Sequence, residues 1–376
     1  MGRETDHVRA LLSIASSIVS TPGTVAVVGS INADVTTVVA EFPSPGETVV
    51  GGDVTISPGG KSSNQAVAAS KMGAHVAMVG AVGRDPYGER LRGELATVGV
   101  DTSHVVERDT PTGTALITVN RAGENTIVYS AGANRTVSRG DIEAAAGTLQ
   151  GSDVVALGFE APVSAVEAAI NVARHADRAP QIIVNYSPIV DAGPGVLQGA
   201  DIVIVNQLEL RALAAAYGVL DEDGGALLPD HDNSGGEDSH GLTRPGEGPP
   251  DGLESIARRI ACCAGLRGVI VTVGSAGCVV IELDEVCGLS VSSVGRACQG
   301  VYSPGWPVDT VDSTGCGDCF MGTVAAAVAA GCGLVDAARW ATFVASRAAT
   351  RRGAQRSYFS AEHLVCELSS DADEAL

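Results

Sequence analysis

Short apolar runs that end on polar residues recur along this chain, with helical spacing between them. The run from Thr24 to Gly29 leads into Ser30-Ile31-Asn32-Ala33-Asp34, and later runs close at Gly158-Phe159-Glu160, Asn185, Asn206 and Gly274. Stretches such as Val163 to Ala173 and Leu208 to Ala215 carry helical patterning between them. Runs without alternation suit strands buried on both faces, and their succession with helices predicts an α/β fold, a doubly wound and mostly parallel sheet. In such a sheet the residues just past the strands' carboxyl ends converge on one crevice. Asn32, Asp34 and Glu160 fall there, and Lys61 and Asn64 fall at a helix start. One Asn or Asp alone suits a turn or a cap, but amides and carboxylates gathered together suit a ligand made of hydroxyls.

Other segments depart from this alternation. Pro43 to Ile56 alternates around Pro45-Gly46, and Thr112 to Asn120 faces Thr126 to Ser130 across Arg121–Glu124, so two short β pairs are expected. Residues 1–23 hold a weakly apolar stretch, Val8 to Val19, interrupted by Ser13, Ser16 and Ser17. It is too short to span a bilayer and reads as a flexible or helical extension. Residues 221–252 are rich in Asp, Glu, Gly and Pro and read as an exposed insertion in one domain over 24–366; a smaller insertion is expected near Arg296 to Pro307, and an acidic tail over 367–376.

The net charge of −20 disfavours nucleic acid and anionic membrane surfaces, which are bound through clustered Lys and Arg. All nine cysteines lie at or after Cys262, a distribution unlike a secreted disulfide framework, so reduced thiols in the cytoplasm are expected. Cys316-Gly-Asp-Cys319 has C-x-x-C spacing, but no second pair at zinc-site spacing accompanies it.

Val311-Asp312-Ser313-Thr314-Gly315-Cys316-Gly317-Asp318 is a polar, glycine-rich turn that opens a long apolar helix. The first-turn N–H groups of such a helix lack partners within it, and with the helix dipole they favour an anion such as a phosphoryl group. Asp318 beside them could take a proton from an attacking hydroxyl. The plain alternative is a turn and a cap. Gly60-Lys61-Ser62 has the ending of a P-loop, but the glycine required five residues earlier is Thr55. Gly80 to Gly83 lacks the spacing of a dinucleotide fingerprint.

Together these residues resemble the ribokinase family of sugar kinases, also called PfkB carbohydrate kinases. The resemblance spans about residues 24 to 360: Gly29 to Asp34 and Pro45-Gly46-Glu47-Thr48 resemble the family's opening, Gly59 to Ala66 its first signature, and Asp312 to Asp318 its second. It implies that Asp318 is the base and that Gly315, Cys316 and Gly317 form the anion hole. Asn32, Asp34, Gly60, Lys61, Asn64 and Glu160 would contact the sugar. Asn206 and Glu209 would organise Mg²⁺ and phosphate, partly through water, with Asn206, Thr272, Gly274, Ser275 and Gly277 along the ATP site. Asp312, Thr314, Ala348, Arg351, Gly353 and Ser357 would surround an activating K⁺. The β pairs, over about 35–58 and 105–131, would form a small β-sheet lid that also joins two copies into a homodimer.

The Asn32-Ala33-Asp34 triplet, Ala131 to Asn134 and Arg352 to Gln355 resemble the members that act on ribose, so the expected reaction is phosphorylation of D-ribose at its 5-hydroxyl by ATP. The alternatives are deoxyribose, fructose or adenosine as acceptor, or a sugar-binding protein without turnover. Two departures stand out: Cys316 replaces a small alanine, which suggests thiol sensitivity, and Asn185-Tyr186-Ser187-Pro188 replaces N-P-A-P.

Overall fold

The computed structural model describes residues 2–219, 252–283 and 300–374. The insertion expected at 221–252 lies outside the described residues except for Gly252, and the one near 296–307 is described only from Gly300. The strands are β1 (Thr24–Val28), β2 (Asn32–Val38), β3 (Thr55–Gly59), β4 (His75–Gly83), β5 (Asp101–Arg108), β6 (Gly113–Val119), β7 (Asn125–Ser130), β8 (Val154–Gly158), β9 (Gln181–Asn185), β10 (Ile202–Asn206), β11 (Gly268–Thr272), β12 (Gly277–Glu282) and β13 (Val301–Pro304). The helices are α1 (Gly2–Ser20), α2 (Lys61–Lys71), α3 (Pro86–Thr97), α4 (Arg139–Ala144), α5 (Ala146–Gly151), α6 (Val163–Arg174), α7 (Gln207–Ala216), α8 (Leu253–Ala264), α9 (Cys316–Ala329), α10 (Leu334–Ala348) and α11 (Ala361–Glu374).

Nine strands form one sheet in the order β13-β12-β11-β10-β9-β8-β1-β4-β5. It is parallel from β11 to β5, and β12 and β13 run antiparallel at one edge. From β1 the chain first winds outward through β4 and β5, then returns to β8 on the other side. The strand order therefore reverses between β1 and β8, which is where an open α/β sheet leaves a crevice at its carboxyl edge.

The apolar runs lack alternation because both faces of the sheet are covered. Val25 and Val27 enter one core with α1, α2, α9, α10 and α11; Ala26 and Val28 enter the other with α4 to α8. Helix α9 is buried continuously from Asp318 to Val328. It crosses α2 closely because position 322 is glycine: a Cβ there would lie 2.2 Å from the Gln65 carbonyl oxygen and 2.7 Å from Ala68 Cβ.

The remaining strands form a second sheet in the order β3-β2-β6-β7. Its extent differs from the expected lid. Residues 39–54 hold no strand, and residues 105–108 belong to β5 in the main sheet, where Val105 is buried beside β4.

The termini differ as well. Residues 1–23, expected as a flexible or helical extension, contain α1, so the helical alternative holds; rather than extending freely, its Val8, Leu11, Ile14, Ala15 and Ile18 are buried in the core. Ser13, Ser16 and Ser17 are not breaks but the exposed face of that helix, as a 3.6-residue period requires. The acidic tail expected from 367 begins inside α11, and Leu368 is buried. Among the described residues no helix is long and apolar enough to cross a membrane.

Candidate active site

Gly315 is the N-cap of α9 with φ +74°, a left-handed conformation that favours glycine. A side chain there would also collide, since its Cβ would lie 2.6 Å from Ala354 Cβ and 2.7 Å from the Tyr358 hydroxyl. Tyr358 donates instead to the Gly315 carbonyl at 2.8 Å. The first intrahelical bond runs from Cys319 N–H to Gly315 O (2.8 Å), so the amides of Gly317 and Asp318 lie ahead of it. The Cys316 N–H donates to Ser313 O within the turn at 3.1 Å. The Cys316 amide is thus used within the turn, while those of Gly317 and Asp318 have no partner inside the helix.

The Cys316 thiol is pushed up to about 12, by burial first and then by the charges of Asp312 and Asp318. A thiol held neutral in this way is a poorer nucleophile than a free one, so slow alkylation is the outcome to test. Cys319 is a buried core residue and its thiol is likewise raised, chiefly by burial.

Asp318 is buried where α9 meets α2. Asn64 Nδ2 donates to its Oδ2 at 2.8 Å, and Gln65 Nε2 lies 3.4 Å from its Oδ1. Burial pushes the carboxyl up to about 6; the Lys61 charge and the Asn64 bond oppose that rise, and the Glu160 charge adds to it. A buried carboxylate held by two carboxamides and poised near neutrality has the properties of a general base.

Across the crevice, Ser30 and Asn32 follow β1 and Glu160 follows β8. Glu160 accepts from Ser30 Oγ, from the Lys61 N–H at 3.1 Å and from Asn32 Nδ2 at 3.5 Å. Asn134 donates to Asn32 Oδ1 at 2.6 Å while its own Oδ1 accepts from the Ile31 N–H at 2.9 Å. Gly60 has φ +92°, and a Cβ there would meet the Asn32 nitrogen at 2.8 Å, so glycine lets the start of α2 approach β2. Asp34 lies on β2 beside Gly59 of β3, and its carboxyl is pushed up to about 6 by burial, with Glu160 and Asp318 adding. The register puts Asp34, Ala115 and Tyr129 in one row across the second sheet. Tyr129 is 42% exposed, but its hydroxyl end turns toward Asn134 and Asn32, and desolvation there pushes it up to about 12.

Two strands further along, Asn206 and Glu209 cap each other at the start of α7. Glu209 N–H donates to Asn206 Oδ1 (2.9 Å) and Asn206 N–H to Glu209 Oε2 (2.8 Å). The Glu209 carboxyl is raised by burial, against the opposing effects of Asn206, Ser187 and the Lys61 charge. Lys61 is therefore felt by both Asp318 and Glu209, at the two ends of the crevice. Asn206 pairs in register with Thr272, after which Gly274, Ser275 and Gly277 turn the chain into β12.

Of the groups expected around K⁺, Asp312 is joined to Thr314 and Gly353 at the turn before α9. Asp312 accepts from the N–H groups of Thr314 (2.9 Å) and Gly353 (2.8 Å), and the Val311 and Asp312 N–H groups donate to Ala349 O. Ala348 O accepts from Arg351 N–H at 3.1 Å, the Arg351 guanidinium lies 3.7 Å from the Phe359 ring centroid, and Ser357 Oγ donates to Ala354 O. Among the described residues no group of three or more His, Cys, Asp or Glu side chains is gathered for a metal ion.

Hydrogen bonds and charges thus join Asn32, Asp34, Lys61, Asn64, Glu160 and Asp318, and they bring in Ser30, Gln65, Asn134, Tyr129 and Gln355, which were not among the expected residues. Asn134 and Gln355 sit inside segments noted only as resemblances, Ser30 reads as an ordinary strand end, and Tyr129 is brought in by the second sheet.

The sequence pattern of the pfkB family carbohydrate kinase matches residues 23–361. Over 337 residues the chain is 29% identical to a ribokinase from Haemophilus influenzae, covering 89% of this chain and 94% of that one. Over 342 residues it is 28% identical to a deoxyribokinase from Salmonella typhi, covering 90% and 96%. The crystal structure of a ribokinase from Thermotoga maritima aligns with a TM-score of 0.73 at 26% identity, covering 93% of this chain and 99% of that one. A ribokinase from Cryptococcus neoformans in complex with ADP aligns with a TM-score of 0.66 at 26% identity, covering 92% and 99%.

Proposed function

The chain belongs to the pfkB family of carbohydrate kinases, and from that premise we propose that it transfers the γ-phosphoryl group of ATP to the 5-hydroxyl of D-ribose. The observation that carries this reading is the buried Asp318 carboxylate, held by Asn64 and Gln65 beside the open amides that begin α9. Asp318 takes the hydroxyl proton as the sugar oxygen bonds to the γ-phosphorus and the bond to the ADP bridging oxygen breaks. The Gly317 and Asp318 amides and Lys61 balance the negative charge on the transferring group. Asn32, Asp34, Asn64 and Glu160, with Gly60 admitting close approach, hold the sugar hydroxyls.

ATP lies along Asn206, Thr272, Gly274, Ser275 and Gly277. One carboxylate and one carboxamide, Glu209 and Asn206, are too few for an all-protein metal cage. They fit Mg²⁺ that keeps waters and takes its other oxygens from phosphates, and bound there it would neutralise phosphate charge. The Asp312–Gly353 junction fits K⁺ as a structural ion that steadies the turn before α9. The second sheet acts as a lid, and its exposed Leu116 and Val128, directly paired across β6 and β7, join a second copy in a homodimer. The cytoplasm supplies the ATP.

Deoxyribose is the competing acceptor, since the relative from Salmonella typhi is nearly as similar as the ribokinase. ADP release with Mg-ATP and K⁺, measured across ribose, deoxyribose, fructose, adenosine and no acceptor, tests the reading. Selectivity for ribose is expected. Selectivity for another acceptor would replace the substrate, and no turnover with any of them would remove the kinase reading.

A further inference from the structure

Gln355 lies on the loop between α10 and α11 and is buried. Its Nε2 donates to Ser63 Oγ at 2.9 Å and to Asn64 Oδ1 at 3.0 Å. Asn64 in turn donates from Nδ2 to Asp318 Oδ2 at 2.8 Å. Chemistry dictates the direction of this chain. An ionised carboxylate only accepts, so Asn64 must face it with its NH₂ group. The Asn64 carbonyl then points at Gln355, which must offer its own NH₂.

We propose that Gln355 is a positioning residue for phosphoryl transfer, holding the Asn64 carboxamide in the one orientation that donates to Asp318. This rests on the kinase reading above. An amide turned end for end has nearly the same shape, so packing alone selects neither orientation; the partners at its two ends do, Asp318 as acceptor and Gln355 as donor. Released from Gln355, Asn64 keeps only the constraint at Asp318 and can move off the carboxylate.

The loop is well placed for the task because independent bonds fix it. Gly353 N–H donates to Asp312, Tyr358 donates to Gly315 O, and Lys71 Nζ donates to the carbonyls of Gln355 (3.3 Å) and Tyr358 (2.6 Å). The same segment therefore braces the base through Asn64 and the cap of α9 through Tyr358. Movement at the Asp312–Gly353 junction would reach Asp318 by this route.

A double-mutant cycle tests the proposal, with kcat for the best acceptor as readout. Gln355→Met keeps the size and removes the donors; Gln355→Glu keeps the size but, when ionised, draws the Asn64 NH₂ away from Asp318. We expect kcat to fall about tenfold in the first and further in the second, the order expected for a weakened hydrogen bond to a charged group. The acid limb of the kcat profile should move to higher pH in both, because Asp318 loses a donor. In an Asn64→Ala background, Gln355→Met should cost less than about twofold, since its route to the base is already cut. An equal loss in both backgrounds would overturn the proposal, as would kcat profiles that keep the wild-type limb. If Gln355→Met does not fold, the same cycle with Gln355→Glu decides. A wild-type chain inactive on every acceptor defeats the kinase reading, whereas an active wild type with an additive cycle defeats only the role of Gln355.

Discussion

Asp318 and Tyr129 face one crevice from opposite sides, and their surroundings differ. Asp318 is buried between two closely packed helices; one of its partners, Asn64, also accepts from Gln355, which in turn donates to Ser63. Tyr129 stands on β7, every residue of which is exposed, including Ile127 at 56% and Val128 at 66%. The base is thus held in place before any ligand arrives, while the second sheet leaves apolar side chains exposed. Such a division suits a kinase: a preorganised base needs no rearrangement, and a closing lid excludes water that would otherwise take the phosphoryl group.

The largest effect should come from breaking the side that holds the base at its narrowest point. Gly322→Val would drive side-chain atoms into the Gln65 carbonyl, so a destabilisation of about 3 kcal/mol is expected, read by denaturant unfolding. Unchanged stability would mean that α2 and α9 are not locked together. On the lid side, Leu116→Asp with Val128→Asp should leave the unfolding midpoint within a few degrees. Sedimentation should show loss of the dimer, and KM for the sugar should rise severalfold. A dimer that survives the pair of charges would place the interface elsewhere.

A smaller effect is expected with pH. Asp318 and Asp34 are both pushed up to about 6 in the folded chain, from an ordinary value of 3.8. Protons then bind the native state more tightly than the unfolded one. Their contribution to stability is fully present below pH 4 and is lost as pH rises through about 6. Activity should run the opposite way and fall as pH drops through about 6, since the base must be ionised; the two carboxyls interact, so the limb belongs to both. Asp34→Asn should flatten the stability profile, and an unaltered slope would contradict the assignment. Smallest of all, Cys316→Ala should change kcat by less than about twofold, because the groups that face the anion are backbone amides. Turnover assays before and after iodoacetamide would expose a reactive thiol if there were one.

Much of this was legible in the residues because both features are local. The parallel sheet follows from strands that are apolar on both faces, and the second signature announces a glycine-capped helix with an aspartate in its first turn. The positions just past β1, β8 and β10 follow from the general geometry of doubly wound sheets. What escaped was long-range. Gln355 meets Asn64 across 291 positions of chain, and no local pattern marks that contact. Asn134 reaches Asn32 only because a short 3₁₀ turn over Gly132–Thr136, just after β7, returns the chain to β2. The N-terminal helix was legible only as one of two alternatives, because its serines interrupt the apolar stretch in sequence yet share one exposed face.

The central claim is that Asp318 is the base of a sugar kinase, and Asp318→Asn tests it most directly. The measurement is ribose-dependent ADP release alongside calorimetric titration of ribose and of ATP. Both ligands should bind within a few-fold of wild type, with kcat lowered by about 10²–10⁴. Turnover close to wild type in that variant, with ligand binding intact, would contradict the account.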